Sequence, residues 1–247
     1  MKYYVLASGS KGNCSLIVSK NTVIMLDCGC TKKYIYDSLA KVHYHLDDID
    51  ALLLTHSHTD HIRSVDAFAQ IPLYASFEVM NRRNEIDVVP YQSFQIKDIR
   101  ITPIALSHDT ESTVGYIFDD GDERLVYVTD TGYVSEKNIE YIINADYYIF
   151  ESNHDIPTLM ATKRPQFLKA RIISNYGHLC NEEAAQILSR CIGDKTKEIV
   201  LAHISEEANT KEMALNSLLH ELHFIQFPVH ALKLYAAAQF EIIEGGN

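Results

Sequence analysis

The apolar run Ala51-Leu52-Leu53-Leu54 ends in Thr55 and passes at once into His56-Ser57-His58-Thr59-Asp60-His61. A short continuous apolar stretch of this kind predicts a buried strand over 51–55 rather than a helix. Three imidazoles and a carboxylate at its end are expensive beside a core, because such groups are mostly exposed or paired. The fold must therefore provide a rigid strand end at which these side chains find a common partner, and a metal ion is the partner they suit. His56 and His58, two apart in extended chain, point the same way and can bind one ion. Asp60 and His61 fall at the start of a helix predicted over 62–70 and can reach a second. A polar loop with helix caps is the competing reading; His-x-His alone would leave it open, and the full six-residue pattern weighs against it.

The same design recurs. Ile101 to Ser107 leads into His108, Val126 to Thr129 into Asp130, and Ile199 to Ala202 into His203. A single histidine after a strand is more often a hydrogen-bonded structural residue. Three further donors, each at the end of an apolar strand, describe one site built from converging strand ends.

The remaining pattern supports an α/β chain. Strands are predicted at 3–6, 15–18, 22–26, 72–76, 93–95, 99–106, 114–118, 125–129, 147–151 and 198–202, with one or two more in 231–243. Helices are predicted at 31–42, 136–143, 182–191 (capped by Asn181) and 211–222. Strands and helices mix in both halves, so helices are expected on the outer faces of packed sheets. No linker or low-complexity tract divides the sequence, and residues 1–247 are expected to form one domain. Apolar residues make up 47% of the chain, enough for a substantial core.

The net charge of −11 argues against a purely electrostatic nucleic-acid binder, which needs a basic face. It leaves open an enzyme whose positive charge is a pair of cations. The apolar run at the N-terminus is too short for a signal peptide, and no stretch is long enough to predict a membrane helix. Five scattered cysteines (Cys14, Cys28, Cys30, Cys180 and Cys191) suggest reduced thiols and a cytoplasmic setting. Cys28-Gly29-Cys30 reads as two small residues in a turn. No Ser-His-Asp set, Cys-His pair or P-loop stands out.

In order along the chain, Asp27, the 56–61 cluster, His108, Asp130 and His203 resemble the five motifs of the metallo-β-lactamase superfamily. Four further motifs resemble its YycJ/WalJ branch: Ser8 to Asn13 (Ser-Gly-Ser-x-Gly-Asn), Thr129 to Tyr133, Glu151 to Asp155 (Glu-Ser-Asn-His-Asp) and Gly177 to Asn181. Three positions depart from the branch: Cys180 stands at a usual Ser, Ala208 at a usual Asn and Cys28 at a usual Ala. The β-CASP insertion of larger nucleases in the superfamily is absent.

The resemblance implies a four-layer αββα sandwich and a 5′-exonuclease acting on DNA. It implies two divalent cations, zinc or manganese with iron as a further option. His56, His58 and His108 would hold the first, Asp60, His61 and His203 the second, and Asp130 would bridge them. Asp27 would orient a ligand loop without touching metal. The expected chemistry is in-line attack by a metal-bridging hydroxide on a phosphodiester, with Asp60 orienting the nucleophile. His178 has two readings: phosphate contact or leaving-group protonation on one side, a hydrogen bond that fixes the turn on the other. His154 reads as structural. Ser10, Asn13, Asn153 and Asn209 are candidates for substrate contact, with the Ser8–Asn13 loop offering backbone N–H groups to a phosphate.

Two rival functions share the metal motifs. One is hydrolysis of a small ester, amide or cyclic phosphodiester; a narrow apolar pocket would favour it over a basic groove. The other is a metal-stabilised regulatory module, for which retention of every ligand would be unnecessary.

Overall fold

The computed structural model describes residues 1–79 and 85–247. The strands form two seven-stranded sheets. The first sheet takes β1 (Lys2–Ala7), β2 (Cys14–Val18), β3 (Val23–Leu26), β4 (Ala51–Leu53), β5 (Leu73–Ala75) and β6 (Glu85–Asp87). The second takes β7 (Phe94–Ile96), β8 (Ile99–Ala105), β9 (Val114–Asp119), β10 (Arg124–Val128), β11 (Tyr147–Glu151), β12 (Glu198–Ala202) and β13 (Lys233–Ala236). The last strand, β14 (Ile243–Gly246), returns to the first sheet and pairs with β1.

Period-two alternation along the strands sorts side chains into layers. Leu53 of β4 faces inward with Tyr3, Tyr116, Tyr127 and Ile149, which come from both sheets and fill the space between them. Its neighbour Leu52 faces outward with Ile35 and Leu39 of α1 (Lys32–Lys41). On the outer face of the second sheet, Val126, Tyr148 and Leu201 pack with α3 (Glu136–Ile142), α6 (Asn181–Cys191) and α7 (Lys211–Phe224). The result is the four-layer αββα sandwich. Among the described residues no helix is long and apolar enough to cross a membrane.

The two sheets follow one plan. In the order β14-β1-β2-β3-β4-β5-β6 the first three pairings are antiparallel and the last three parallel. The order β7 to β13 repeats that sequence of directions. β3 and β10 are therefore equivalent strands, and each is followed by an aspartate in left-handed backbone: Asp27 at φ 59° and Asp130 at φ 58°.

Two expectations about helices need correction. The helix predicted over 62–70 breaks into α2 (Thr59–Ile62) and a 3₁₀ turn at Val65–Phe68. The cause lies at Ser64, whose backbone N–H donates to Cys28 O and whose hydroxyl donates to Cys30 O instead of serving the helix. α6 is capped by Cys180, whose Sγ accepts from Glu183 N, because the Asn181 amide is taken by Ser152 and Asn209. The one or two strands expected in 231–243 are β13 and β14, which lie in different sheets, with β14 running on to Gly246. Two helices escaped the sequence pattern, α4 (Ile156–Ala161) and α5 (Gln166–Ile173).

Candidate metal centre

The donors gather where strands of the two sheets end. Asp27 follows β3, the His56–His61 run follows β4, His108 follows β8, Asp130 follows β10 and His203 follows β12. Asp27, Asp130 and His203 (φ 54°) all adopt left-handed backbone, which costs a non-glycine residue about 1–2 kcal/mol. Such strain persists where the surroundings over-determine a geometry, as at a functional site. Gly29 permits the approach of the β3 loop: a Cβ there would meet Asp60 O at 1.5 Å.

The side chains form two triads. One donor atom from each of His56, His58 and His108 falls within 4.8 Å of the others, and the same holds for Asp60, His61 and His203. Asp130 groups in the same way with His56 and His61, and a fourth group joins Asp130, Glu151, His178 and His203. His58 and Asp60 are half-buried, while His56, His61, His108, Asp130 and His203 are buried.

Three imidazoles are oriented through Nδ1. His108 Nδ1 is 3.0 Å from Gly177 O, His61 Nδ1 2.7 Å from Asp27 Oδ2 and His203 Nδ1 3.0 Å from Glu151 Oε1. Each acceptor requires the Nδ1 proton, so each Nε2 is turned to the cluster. Thr55 steadies Asp27 by donating its backbone N–H (2.9 Å) and its hydroxyl (2.9 Å). Asp27 thus touches His61 and Thr55 rather than the cluster's centre.

Charge is distributed unevenly. Burial holds His56, His58 and His108 below the ordinary histidine range. At His61 burial is outweighed by Asp27 and Asp130, which hold the imidazole well above that range. At His203 burial is outweighed by Asp130 and Glu151, which raise it to about 9. Against the same burial, the histidines push Asp130 well below the carboxylate range and bring Glu151 to about 2.

Asp130 Oδ2 and His203 Nε2 are buried yet make no hydrogen bond, although His61 Nε2 is 3.2 Å from that oxygen and Asp130 Oδ1 3.4 Å from His203 Nε2. Orphaned buried polar atoms are rare in folded proteins and ask for a partner. Imidazole and carboxylate donors without a thiolate fit zinc, manganese or iron. The residues present therefore suit divalent metal ions.

Several residues expected to contact substrate are engaged within the protein. Asn13 Oδ1 accepts from Gly9 N, and its Nδ2 lies 2.9 Å from His61 Nε2. Asn153 Nδ2 donates to His203 O, and Asn209 Nδ2 donates to Ser152 O and Asn181 Oδ1. All three asparagines are buried; Ser10 alone of the four candidates is exposed. The expected phosphate cradle in the Ser8–Asn13 loop is also corrected. Gly9 N, Lys11 N, Gly12 N and Asn13 N already bond to Asn13, Gln239, Gly9 and Asp60. The loop supports the centre from below, and Ser8 Oγ accepts from His203 N.

His178 stands beside the centre, part-exposed, with Nδ1 2.8 Å from Glu151 Oε1 and its ring 5.0 Å from that of His108. His154 is buried, and burial lowers it to about 4. Two residues without an expected role sit here. Glu151 holds both His178 and His203, and it ends the apolar strand β11 in the manner that marked the other donors. Asp109 Oδ1 lies 3.4 Å from His108 Nε2 and 3.5 Å from His58 Nε2; it adjoins a donor already singled out.

Comparison with known proteins identifies a family, two relatives and a similar solved structure. The family model described as a beta-lactamase superfamily domain matches residues 22–204. The chain is 36% identical over 236 residues to the exodeoxyribonuclease WalJ of Streptococcus pneumoniae, covering 90% of this chain and 88% of that protein. It is 33% identical over 231 residues to the exodeoxyribonuclease YycJ of Bacillus anthracis, covering 88% of each. Among solved structures, the metallo-β-lactamase fold protein YhfI of Bacillus subtilis superposes with a TM-score of 0.70 at 19% identity, over 99% of both chains.

Proposed function

Since the chain belongs to the metallo-β-lactamase superfamily, in its YycJ/WalJ branch, we propose that it is a dinuclear metal-dependent nuclease that releases nucleotides from the 5′ end of DNA. The observation that carries this reading is the pair of donor triads joined through Asp130, with the His178–Glu151 pair at their edge. Relatives at 33–36% identity bear the name exodeoxyribonuclease, which supports a DNA substrate. The five cysteines are free thiols, in keeping with a cytoplasmic setting.

In this reading His56, His58 and His108 would hold one cation, Asp60, His61 and His203 the other, and Asp130 would serve both. When bound, the cations supply Lewis acidity: they acidify water and neutralise charge on the phosphate. The protein's own groups do the rest. Asp60, half-buried and less enclosed than Asp130, orients the attacking water. Water adds to phosphorus as the bond to the departing sugar oxygen breaks, and that oxygen needs a proton. Glu151 accepts from His178 Nδ1–H, so proton transfer to the leaving oxygen would come from Nε2 of the doubly protonated ring, while the proton shed by the attacking water would pass to solvent. Asp27 and Glu151 keep the His61 and His203 rings in register through their Nδ1 atoms.

The test is incubation with 5′-phosphorylated single- and double-stranded DNA and RNA, with Mn²⁺ or Zn²⁺ supplied. Metal-dependent release of mononucleotides from DNA is expected. No release from any strand with either cation would overturn the proposal, and metal analysis finding a single tight equivalent would remove the bridging role of Asp130.

A further inference from the structure

Residues 156–181 contain Lys163, Arg164, Lys169 and Arg171 and no aspartate or glutamate, in a chain whose net charge is −11. This stretch forms α4 and α5, the two helices between β11 and α6. Lys169 is buried, and its Nζ donates to Met160 O (2.6 Å) and Thr162 O (2.8 Å), which locks the elbow between the two helices. Arg164 and Arg171 are thus presented from a fixed base.

Both arginines line a cavity of about 170 Å³ together with His108, Asp109, Leu168 and His178. The cavity shares a wall with the metal centre through His108 and His178. Pockets that enclose a drug-sized ligand begin at about 300 Å³; this one is smaller and has room for a phosphate group. Arg171 is ion-paired with Asp109, and Arg164 Nε donates to Glu207 Oε2 at 2.9 Å. Glu207 is 64% exposed, so its pair with Arg164 is screened and readily exchanged. Asp109 lies equally close to His58 and His108, where a cation would balance its charge and leave the Arg171 guanidinium to another anion. Phe167, four residues before Arg171 on α5, is 76% exposed and offers a stacking face on the same side of the helix.

The geometry points to this cavity as a site for a terminal phosphate monoester of the substrate strand, held by Arg164 and Arg171. Two guanidiniums favour a dianionic monoester over the monoanionic diester inside a strand. A site that prefers the dianion reads a strand end rather than a passing strand, whose internal phosphates carry one charge each. The cleavable linkage then lies at a fixed distance from that end. The inference rests on the nuclease reading, and it adds the feature that would make the enzyme act from a terminus.

The test uses the metal-supplied protein and three DNA strands of one sequence, carrying a 5′-phosphate, a 3′-phosphate or hydroxyls at both ends. Methylphosphonate linkages next to the ends block cleavage, and binding is read by fluorescence anisotropy. One end-phosphorylated strand is expected to bind at least about tenfold more tightly than the hydroxyl strand, and the end that matters identifies which phosphate is read. The double variant Arg164→Gln/Arg171→Gln is expected to bring that ratio close to one. Equal affinity of the wild-type protein for all three strands would overturn the inference, as would a double variant that folds normally by circular dichroism and keeps the preference. Cleavable strands and bis(p-nitrophenyl) phosphate, assayed in parallel, separate the two readings. Cleavage without end preference defeats this inference alone; end preference without hydrolysis of any substrate defeats the nuclease reading and leaves the pocket standing.

Discussion

Asp27 Oδ2 and His61 Nδ1 lie 2.7 Å apart with both side chains fully buried. The carboxylate selects the ring nitrogen that faces the cluster, and it does so from a strand end held in left-handed backbone.

Asp27→Asn keeps the volume of the side chain and removes its charge. The affinity of the Asp60–His61–His203 triad for its cation is expected to fall by about 10–100-fold, as for other partners of metal-ligating histidines. Competition with a chromophoric chelator measures this directly. Unchanged affinity would reduce the Asp27 contact to packing.

Metal affinity should depend on pH differently at the two triads. In the metal-free protein Asp130 and Glu151 raise His203 to about 9 from an ordinary 6.5. The sign follows: stabilisation from this protonated histidine is full below 6.5 and is lost as pH rises through about 9. A cation must displace that proton, so binding at this triad strengthens as pH rises across the same window. His56, His58 and His108 are already held neutral by burial, and their triad should change little there. Equilibrium dialysis at pH 6, 7.5 and 9 should show the second equivalent weakening first at low pH; two equivalents held equally tightly at pH 6 would contradict this charge distribution.

His178→Ala separates proton donation from scaffolding. On DNA, whose departing sugar oxygen needs a proton, kcat is expected to fall by about 10²–10⁴-fold. On bis(p-nitrophenyl) phosphate, whose phenolate departs without one, the loss should be under about tenfold. Equal losses on both substrates would make His178 a purely structural residue.

Cys180→Ser tests a local departure from the branch pattern. The thiol caps α6 with Sγ 3.5 Å from Glu183 N. A hydroxyl is the stronger cap, and the variant is expected to gain about 0.5–1 kcal/mol. For a domain of this size that raises the melting temperature by about 1–4 °C. A lower melting temperature would show that the volume of the thiol outweighs its weaker hydrogen bond.

The site was more legible in the sequence than its surroundings. The pairing of apolar strand and terminal donor is a local signal, and His56, His108, Asp130 and His203 all carry it. Glu151 carries it too, yet as part of a Glu-Ser-Asn-His-Asp run it read as one motif among several. α4 is six residues long and shows no helical period. α5 buries Lys169, a residue that reads as surface. The inward turn of Asn13, Asn153 and Asn209 depends on partners far along the chain, such as Asn181 for Asn209 and His203 for Asn153. The repeated plan of the two sheets leaves no repeat in the sequence, because strand direction constrains backbone pairing and not residue identity.

The convergence of donors from both sheets has a consequence for how the chain matures. As the polypeptide emerges during synthesis, strands β1 to β4 arrive with Asp27, His56, His58, Asp60 and His61, and these cannot complete either triad alone. The first cage waits for His108, and the second waits for His203, when most of the chain has been made. Hydrolytic competence is thus withheld until the second sheet has docked. A cation captured by both halves would then act as a clasp on the finished molecule, adding its binding free energy to the union of the two sheets.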